Sequence, residues 1–180
     1  MDERLQEMLD HHEIRKTLNE YCHGCDRCDK RSMGSIYLED SWDDHGTIKA
    51  PGPEYTEKMS AQILQTSITM YHLLGQSIIN VTGDEAGAET YFLAVSQNRG
   101  DDGDVTTNQL GGRFVDTLWR QEDGRWLIKR RVVVRDWSMT FPGQPAWEAT
   151  LALVPGERSN ADPAFAALGR VHSAGATASA

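Results

Sequence analysis

The sequence predicts an α+β fold, and three observations carry that reading. In the first seventy residues apolar side chains recur at three- and four-residue steps, the period of a helix with one buried face. After His72 the pattern changes to runs rich in alternating and β-branched residues, broken by Gly-containing turns. The last of these, "GGRFVDTLWRQEDGRWLIKRRVVVRDW", reads as two long strands joined through Glu122-Asp123-Gly124. Helices first and antiparallel strands second is the α+β order. The packing it favours is a curved sheet wrapped over the helices, leaving a pocket between them.

The elements follow in chain order. Leu5, Met8, Leu9, Ile14, Leu18, Tyr21, Cys22 and Cys25 define one or two amphipathic helices that end near residues 24–29. A short helix is expected around residues 32–39. "DDHGTIKA" reads as extended and "PGPE" as a turn. Met59, Ile63 and Met70 fit a third helix over residues 56–71. "QSIINVTGDEAGAETYFLAVSQ" reads as two strands around Gly83-Asp84-Glu85, and "NRGDDGD" as a polar loop. No repeat or linker divides the chain. We therefore expect one domain over residues 1–150 and a tail over 151–180. That tail is expected to be partly disordered, with a weak helical stretch at 163–170 and small polar residues in its last ten positions.

The chain has 180 residues, 39% of them hydrophobic and 25% charged, enough for one sizeable core. A net charge of −9 argues against nucleic acid or an anionic membrane as partner, since phosphate binding needs a basic patch. No apolar run approaches the roughly 18 residues of a membrane span. The start, "MDERLQEMLD", is acidic and polar rather than signal-like, so a cytoplasmic location and free thiols are expected.

All three cysteines fall within "YCHGCDRCD". Their spacing by three would spread them over roughly 120° of a helix surface, and no second cysteine pair exists to complete a zinc site. A redox Cys-x-x-Cys motif should open a helix, whereas this one closes one. Cys22 and Cys25 are therefore read as small core residues and Cys28 as a loop thiol. No metal and no cofactor are expected. "GDDGD" and "LGGR" lack the strand-to-helix setting of a nucleotide loop, and residues 101–104 lack calcium-loop spacing.

What remains in the cysteine stretch is Tyr21 and Asp26, five apart at the end of a helix whose buried side they adjoin. An aspartate there must be solvated, paired or functional. His72 follows an apolar helix, and Arg131 lies on the last strand. Each has an ordinary structural explanation when taken alone. Strict alternation puts Arg130 and Arg131 on opposite faces, so either Arg130 points inward or a bulge near Lys129 re-aims Arg131.

Taken in order, "YCHGCDRCD", "DDHG", "MYHLLGQSIIN", "AETYF" and the final hairpin resemble the SnoaL-like branch of the nuclear transport factor 2 (NTF2-like) superfamily. The resemblance covers about residues 5–140. It implies an NTF2-like α+β cone: a strongly curved antiparallel sheet wrapped around the N-terminal helices, three helices in all, and a deep pocket at the open end. Members include scytalone dehydratase, bile-acid 7α-dehydratase, hexachlorocyclohexane dehydrochlorinase, ketosteroid isomerase, polyketide cyclases and deformylating lyases. In the dehydratases and dehydrochlorinases an Asp ending the first helix and a His before the first long strand form a catalytic dyad. Asp26 and His72 match those positions, Tyr21 resembles the tyrosine that precedes this Asp in the bile-acid enzyme, and Arg131 resembles the strand arginine of these enzymes. Cysteines between Tyr21 and Asp26 depart from the pattern, as does "DDHG", whose His45 could be a second pocket histidine.

The function expected from this resemblance is a cofactor-independent lyase of dehydratase, dehydrohalogenase or retro-aldol type. Its substrate would be a medium-sized aromatic or polycyclic compound, as in aromatic compound catabolism. His72 would be the base, Asp26 would fix its tautomer, Tyr21 would donate to a developing oxyanion, and Arg131 would hold an anionic group. Trp42, Tyr71, Tyr91, Phe114 and Trp137, with His45, are the candidate substrate-binding residues. The alternatives are a ketosteroid-isomerase-type isomerase, a non-catalytic small-molecule-binding module, or a subunit like the small chain of ring-hydroxylating oxygenases. Leu118, Val132, Val133 and Val134 exceed the apolar needs of one buried face. A homo-oligomer is thus expected; the resemblance implies a trimer or a dimer, with the trimer favoured.

Overall fold

The computed structural model describes residues 2–100, 102–143 and 153–173. Helix α1 (Glu3–Arg27) runs unbroken for 25 residues. The Asp2 carboxylate accepts from the Arg4 amide at its start, and Cys28 ends it in the left-handed conformation at φ 52°. The Asp29 amide then closes back onto the Gly24 carbonyl at 2.8 Å. Gly24 is needed there, because a Cβ would stand 2.4 Å from the Met33 backbone nitrogen. Asp29 in turn caps α2 (Lys30–Gly34), which is shorter and earlier than the expected helix at 32–39.

Two strands follow: β1 (Tyr37–Asp44), whose first residues fall in the expected helix, and β2 (Lys49–Pro51), at the end of the segment read as extended. The "PGPE" segment is not a turn but the start of α3 (Gly52–Thr66), since proline fits the first helical turn without losing a needed amide. Helix α3 ends five residues before expected, and β3 (Ser67–Thr82) takes over. Then come β4 (Glu85–Arg99), β5 (Val105–Arg120), β6 (Trp126–Pro142) and a short α4 (Pro163–Leu168).

The six strands form one open, curled sheet in the order β2-β1-β6-β5-β4-β3. All neighbours are antiparallel except β1 and β6, which are parallel. Helix α1 packs inside the curl against β3 and β6, and α3 against β1 to β3, which gives the expected α+β cone. Ile14, Leu18, Met33, Phe114, Leu118, Trp126 and Ile128 fill the core.

The narrow end is closed by a polar cluster around buried Asp10. Arg120 pairs with Asp10 through two nitrogens and stacks on Trp126, whose indole N–H also donates to Asp10. Residues 153–173 pack on the C-terminal half of α1: Phe165 is buried, Arg27 pairs with Asp162, and Arg170 with Glu20. This part of the tail is thus ordered against the domain. Most of the small-residue stretch expected to be disordered lies outside the described residues. No helix among the described residues is long and apolar enough to cross a membrane.

Candidate active site

A cavity of about 240 Å³ opens between α1, α3 and the inner face of the sheet. Its apolar wall comes from Met59 and Ile63 on α3, Met70 on β3, Phe92 and Ala94 on β4, Leu110 and Phe114 on β5, and Val133 on β6. Its polar groups are Tyr21, His45, Tyr55, His72, Ser96 and Asn108, with the Cys25 thiol. Phe92 and Phe114 stack face to face at 4.3 Å along the wall.

His72 and Asp26, 46 residues apart in the chain, meet at this cavity. The Asp26 carboxylate accepts from His72 Nδ1 at 2.6 Å and from the His72 backbone amide at 3.1 Å. The second bond has a topological cause. Strand β3 is the edge of the sheet, so alternate amides have no strand partner, and the end of α1 delivers a carboxylate to one of them. With Nδ1–H committed to Asp26, the free Nε2 of His72 is the ring's basic nitrogen.

A second histidine–carboxylate pair borders the same cavity. His45 Nδ1 donates to Asp43, which is fully buried and also accepts from the Tyr37 hydroxyl. His45 Nε2 lies 2.9 Å from the Tyr21 hydroxyl, and Tyr21 lies 2.7 Å from the Tyr55 hydroxyl. The His45 ring stacks on Tyr55 at 4.5 Å. Burial holds His45 below its ordinary pKa, and Asp43 only partly opposes this. Burial likewise raises Tyr21 and Tyr55 well above theirs, so both stay protonated.

Arg131 faces inward because Lys129 is the extra residue of a bulge. Ile128 pairs with Leu118 while Arg130 pairs with Thr117, and this shift carries Arg131 to the inner face opposite Asp116. Arg131 does not line the cavity. It is fully buried, bonded to both Asp116 oxygens at 2.8 Å, with its guanidinium carbon 4.5 Å from the Tyr21 ring and 4.3 Å from Phe114. Its place is beneath the aromatic floor rather than on the cavity wall.

Of the six candidate lining residues, His45 and Phe114 line the cavity. Trp42, Tyr71, Tyr91 and Trp137 do not; all four are substantially exposed. Period-two alternation explains the correction. Met70 and His72 point inward, so Tyr71 points outward, and Thr90 and Phe92 do the same to Tyr91. Trp42 alternates with buried Ser41 and Asp43, and the Trp137 indole covers Gly111 on the outer face. Sequence reasoning missed Asp43, Tyr55 and Asp116. The Asp43-x-His45 spacing and the position of Asp116 opposite Arg131 in the predicted hairpin were the available signals.

Cys22, Cys25 and Cys28 are free and buried. Cys28 is not a loop thiol: it caps α1, and its thiol lies 3.6 Å from the Ser60 carbonyl. Burial raises all three thiols, Cys22 to about 12. Among the described residues, no group of three His, Cys, Asp or Glu side chains could hold a metal ion.

The α+β architecture agrees with the comparison to known families. Residues 6–132 match the SnoaL-like domain, and the chain belongs to that family. Among solved structures it resembles a candidate scytalone dehydratase from Novosphingobium aromaticivorans, at 18% identity and a TM-score of 0.67, covering 77% of this chain and 92% of that one. It also resembles a hexachlorocyclohexane dehydrochlorinase from Novosphingobium barchaimii, at 14% identity and a TM-score of 0.68, covering 84% and 99%. A protein of unknown function from Mycobacterium tuberculosis matches at 20% identity and a TM-score of 0.61, covering 76% and 77%. At these identities the likeness shows the fold. A comparison with curated protein sequences found no match.

Proposed function

We propose that this protein is a cofactor-independent lyase that abstracts a carbon-bound proton with His72, oriented by Asp26. The observation that carries this is the 2.6 Å bond between His72 Nδ1 and Asp26 at the edge of an apolar cavity. A carboxylate on Nδ1 fixes the tautomer that leaves Nε2 basic and stabilises the imidazolium formed on proton transfer. General-base catalysis of this kind contributes roughly 10²–10⁴-fold. Stacked Phe92 and Phe114 favour a flat ring. A volume of about 240 Å³ lies below the roughly 300–1,000 Å³ of typical small-molecule sites. That favours a one- or two-ring aromatic compound over a steroid. Tyr21 meets the substrate's oxygen, and Arg131 supports the Tyr21 ring from beneath.

The test is turnover of a panel of hydroxylated one- and two-ring compounds by the wild type, His72→Ala and Asp26→Asn. Elimination or cleavage by wild type, lost in both variants, supports a lyase. Double-bond migration without a leaving group supports the isomerase that the same dyad would serve. Turnover undiminished in His72→Ala refutes the dyad. The outer face of the sheet exposes Tyr71, Leu73, Tyr91, Trp137 and Met139, and we propose a second copy of the chain as its cover. Light scattering showing a monomer at micromolar concentration would refute that part.

A further inference from the structure

The hydrogen bonds around His45 have a direction, and it determines what Tyr21 offers a ligand. The Asp43 carboxylate can only accept, so the Tyr37 hydroxyl donates to one oxygen and His45 Nδ1–H to the other. A neutral imidazole protonated at Nδ1 accepts at Nε2, and the donor there is the Tyr21 hydroxyl, 2.9 Å away. A hydroxyl has one proton. The 2.7 Å contact between the Tyr21 and Tyr55 oxygens must therefore run from Tyr55 to Tyr21. Tyr21 has thus spent its proton on His45 and keeps one lone pair, and it lines the cavity.

We propose that Asp43, His45 and Tyr21 form a proton relay whose cavity end, the Tyr21 oxygen, accepts a hydrogen bond and then a proton from a ring hydroxyl of the ligand. This deepens the proposed function and rests on its reading of the cavity, adding a phenolic or enolic hydroxyl to the substrate's description. In the step, the ligand's hydroxyl proton moves to the Tyr21 oxygen as the Tyr21 proton moves to His45 Nε2. Two O–H bonds break, one O–H and one N–H bond form, and the ligand oxygen's electron pair delocalises into the ring or becomes a carbonyl. Asp43 stays a carboxylate and balances the imidazolium. Tyr21 never exists as a free phenolate, the form its burial disfavours. Tyr21 touches the ligand; Asp43 is a positioning residue that acts through His45.

The test uses 2-naphthol, 2-methoxynaphthalene and 2-acetylnaphthalene as probes, with binding measured by calorimetry on the full chain. Wild type should bind 2-naphthol about tenfold more tightly than the methyl ether, the ratio one hydrogen bond supplies. Tyr21→Phe should erase that preference. Asp43→Asn places an amide donor against His45 Nδ1, moves the ring proton to Nε2 and turns the Tyr21 hydroxyl toward the cavity, so the preference should pass to 2-acetylnaphthalene. Nitrogen-15 spectra of labelled histidine should show His45 protonated at Nδ1 in wild type, which decides the matter even if Asp43→Asn fails to fold. Protonation at Nε2, or equal affinity for naphthol and its ether, would overturn the relay and leave the His72 dyad standing. Failure of any naphthalene to bind would overturn both.

Discussion

Replacing Arg131 with methionine tests whether this arginine belongs to the scaffold or to the substrate. Arg131 and Asp116 are both buried, joined by two bonds of 2.8 Å, and the guanidinium lies within 4.5 Å of two aromatic rings. Arg131→Met leaves the Asp116 carboxylate buried without its partner, which costs about 3–5 kcal/mol. Against a total stability of about 5–15 kcal/mol, that is a large fraction. Arg131→Met with Asp116→Asn removes both charges, so most of the loss should return, within about 1–2 kcal/mol of wild type. Urea unfolding at neutral pH, with unchanged denaturant slopes, reads both numbers. An arginine kept only for a substrate anion would be dispensable for folding. A single-variant loss under about 1 kcal/mol, or a double variant in which the two losses simply add, would refute the assignment.

Two further outcomes follow from the same electrostatics. His45 is held neutral by burial, so the unfolded chain takes up a proton near pH 6.5 while the folded chain does not until lower pH. Stability should therefore fall with pH from about 6.5 downward, by up to about 1.4 kcal/mol per unit from this group, and His45→Gln should flatten that slope in urea titrations. Buried thiols with raised pKa values, Cys22 at about 12, should resist a disulfide reagent in the native protein at pH 7.5 and react, all three, in denaturant. Rapid native labelling of any one would contradict its placement.

The periodic signals in the chain were legible because one face of each element is buried. Ile14, Leu18 and Tyr21 marked α1, and the turn at Asp123-Gly124 marked the β5–β6 hairpin. Asp26 and His72 stood out through the family resemblance, which supplied a pairing across 46 residues that spacing along the chain does not encode. What stayed hidden depended on register and tertiary contact. Strand β1 was obscured because its inner positions are the polar Ser41 and Asp43, buried through hydrogen bonds to Leu38 and Tyr37 of the same strand rather than through an apolar pattern. The aromatic lining was misassigned for Tyr71 and Tyr91 because an aromatic run does not say which parity faces inward. The fate of Arg131 turned on one extra residue at Lys129, which moves the side chains from Arg131 to Arg135 to the other face until a second extra residue, Asp136, restores the parity.

The central claim is that His72, held by Asp26, removes a proton from carbon in this cavity. Its most direct measurement is proton–deuterium exchange by NMR, in heavy water, at the acidic carbon of a two-ring hydroxyketone bound to the wild type and to His72→Gln. The account predicts exchange in wild type that falls at least about a hundredfold in the variant while the compound still binds. Exchange at the same rate in both would contradict it.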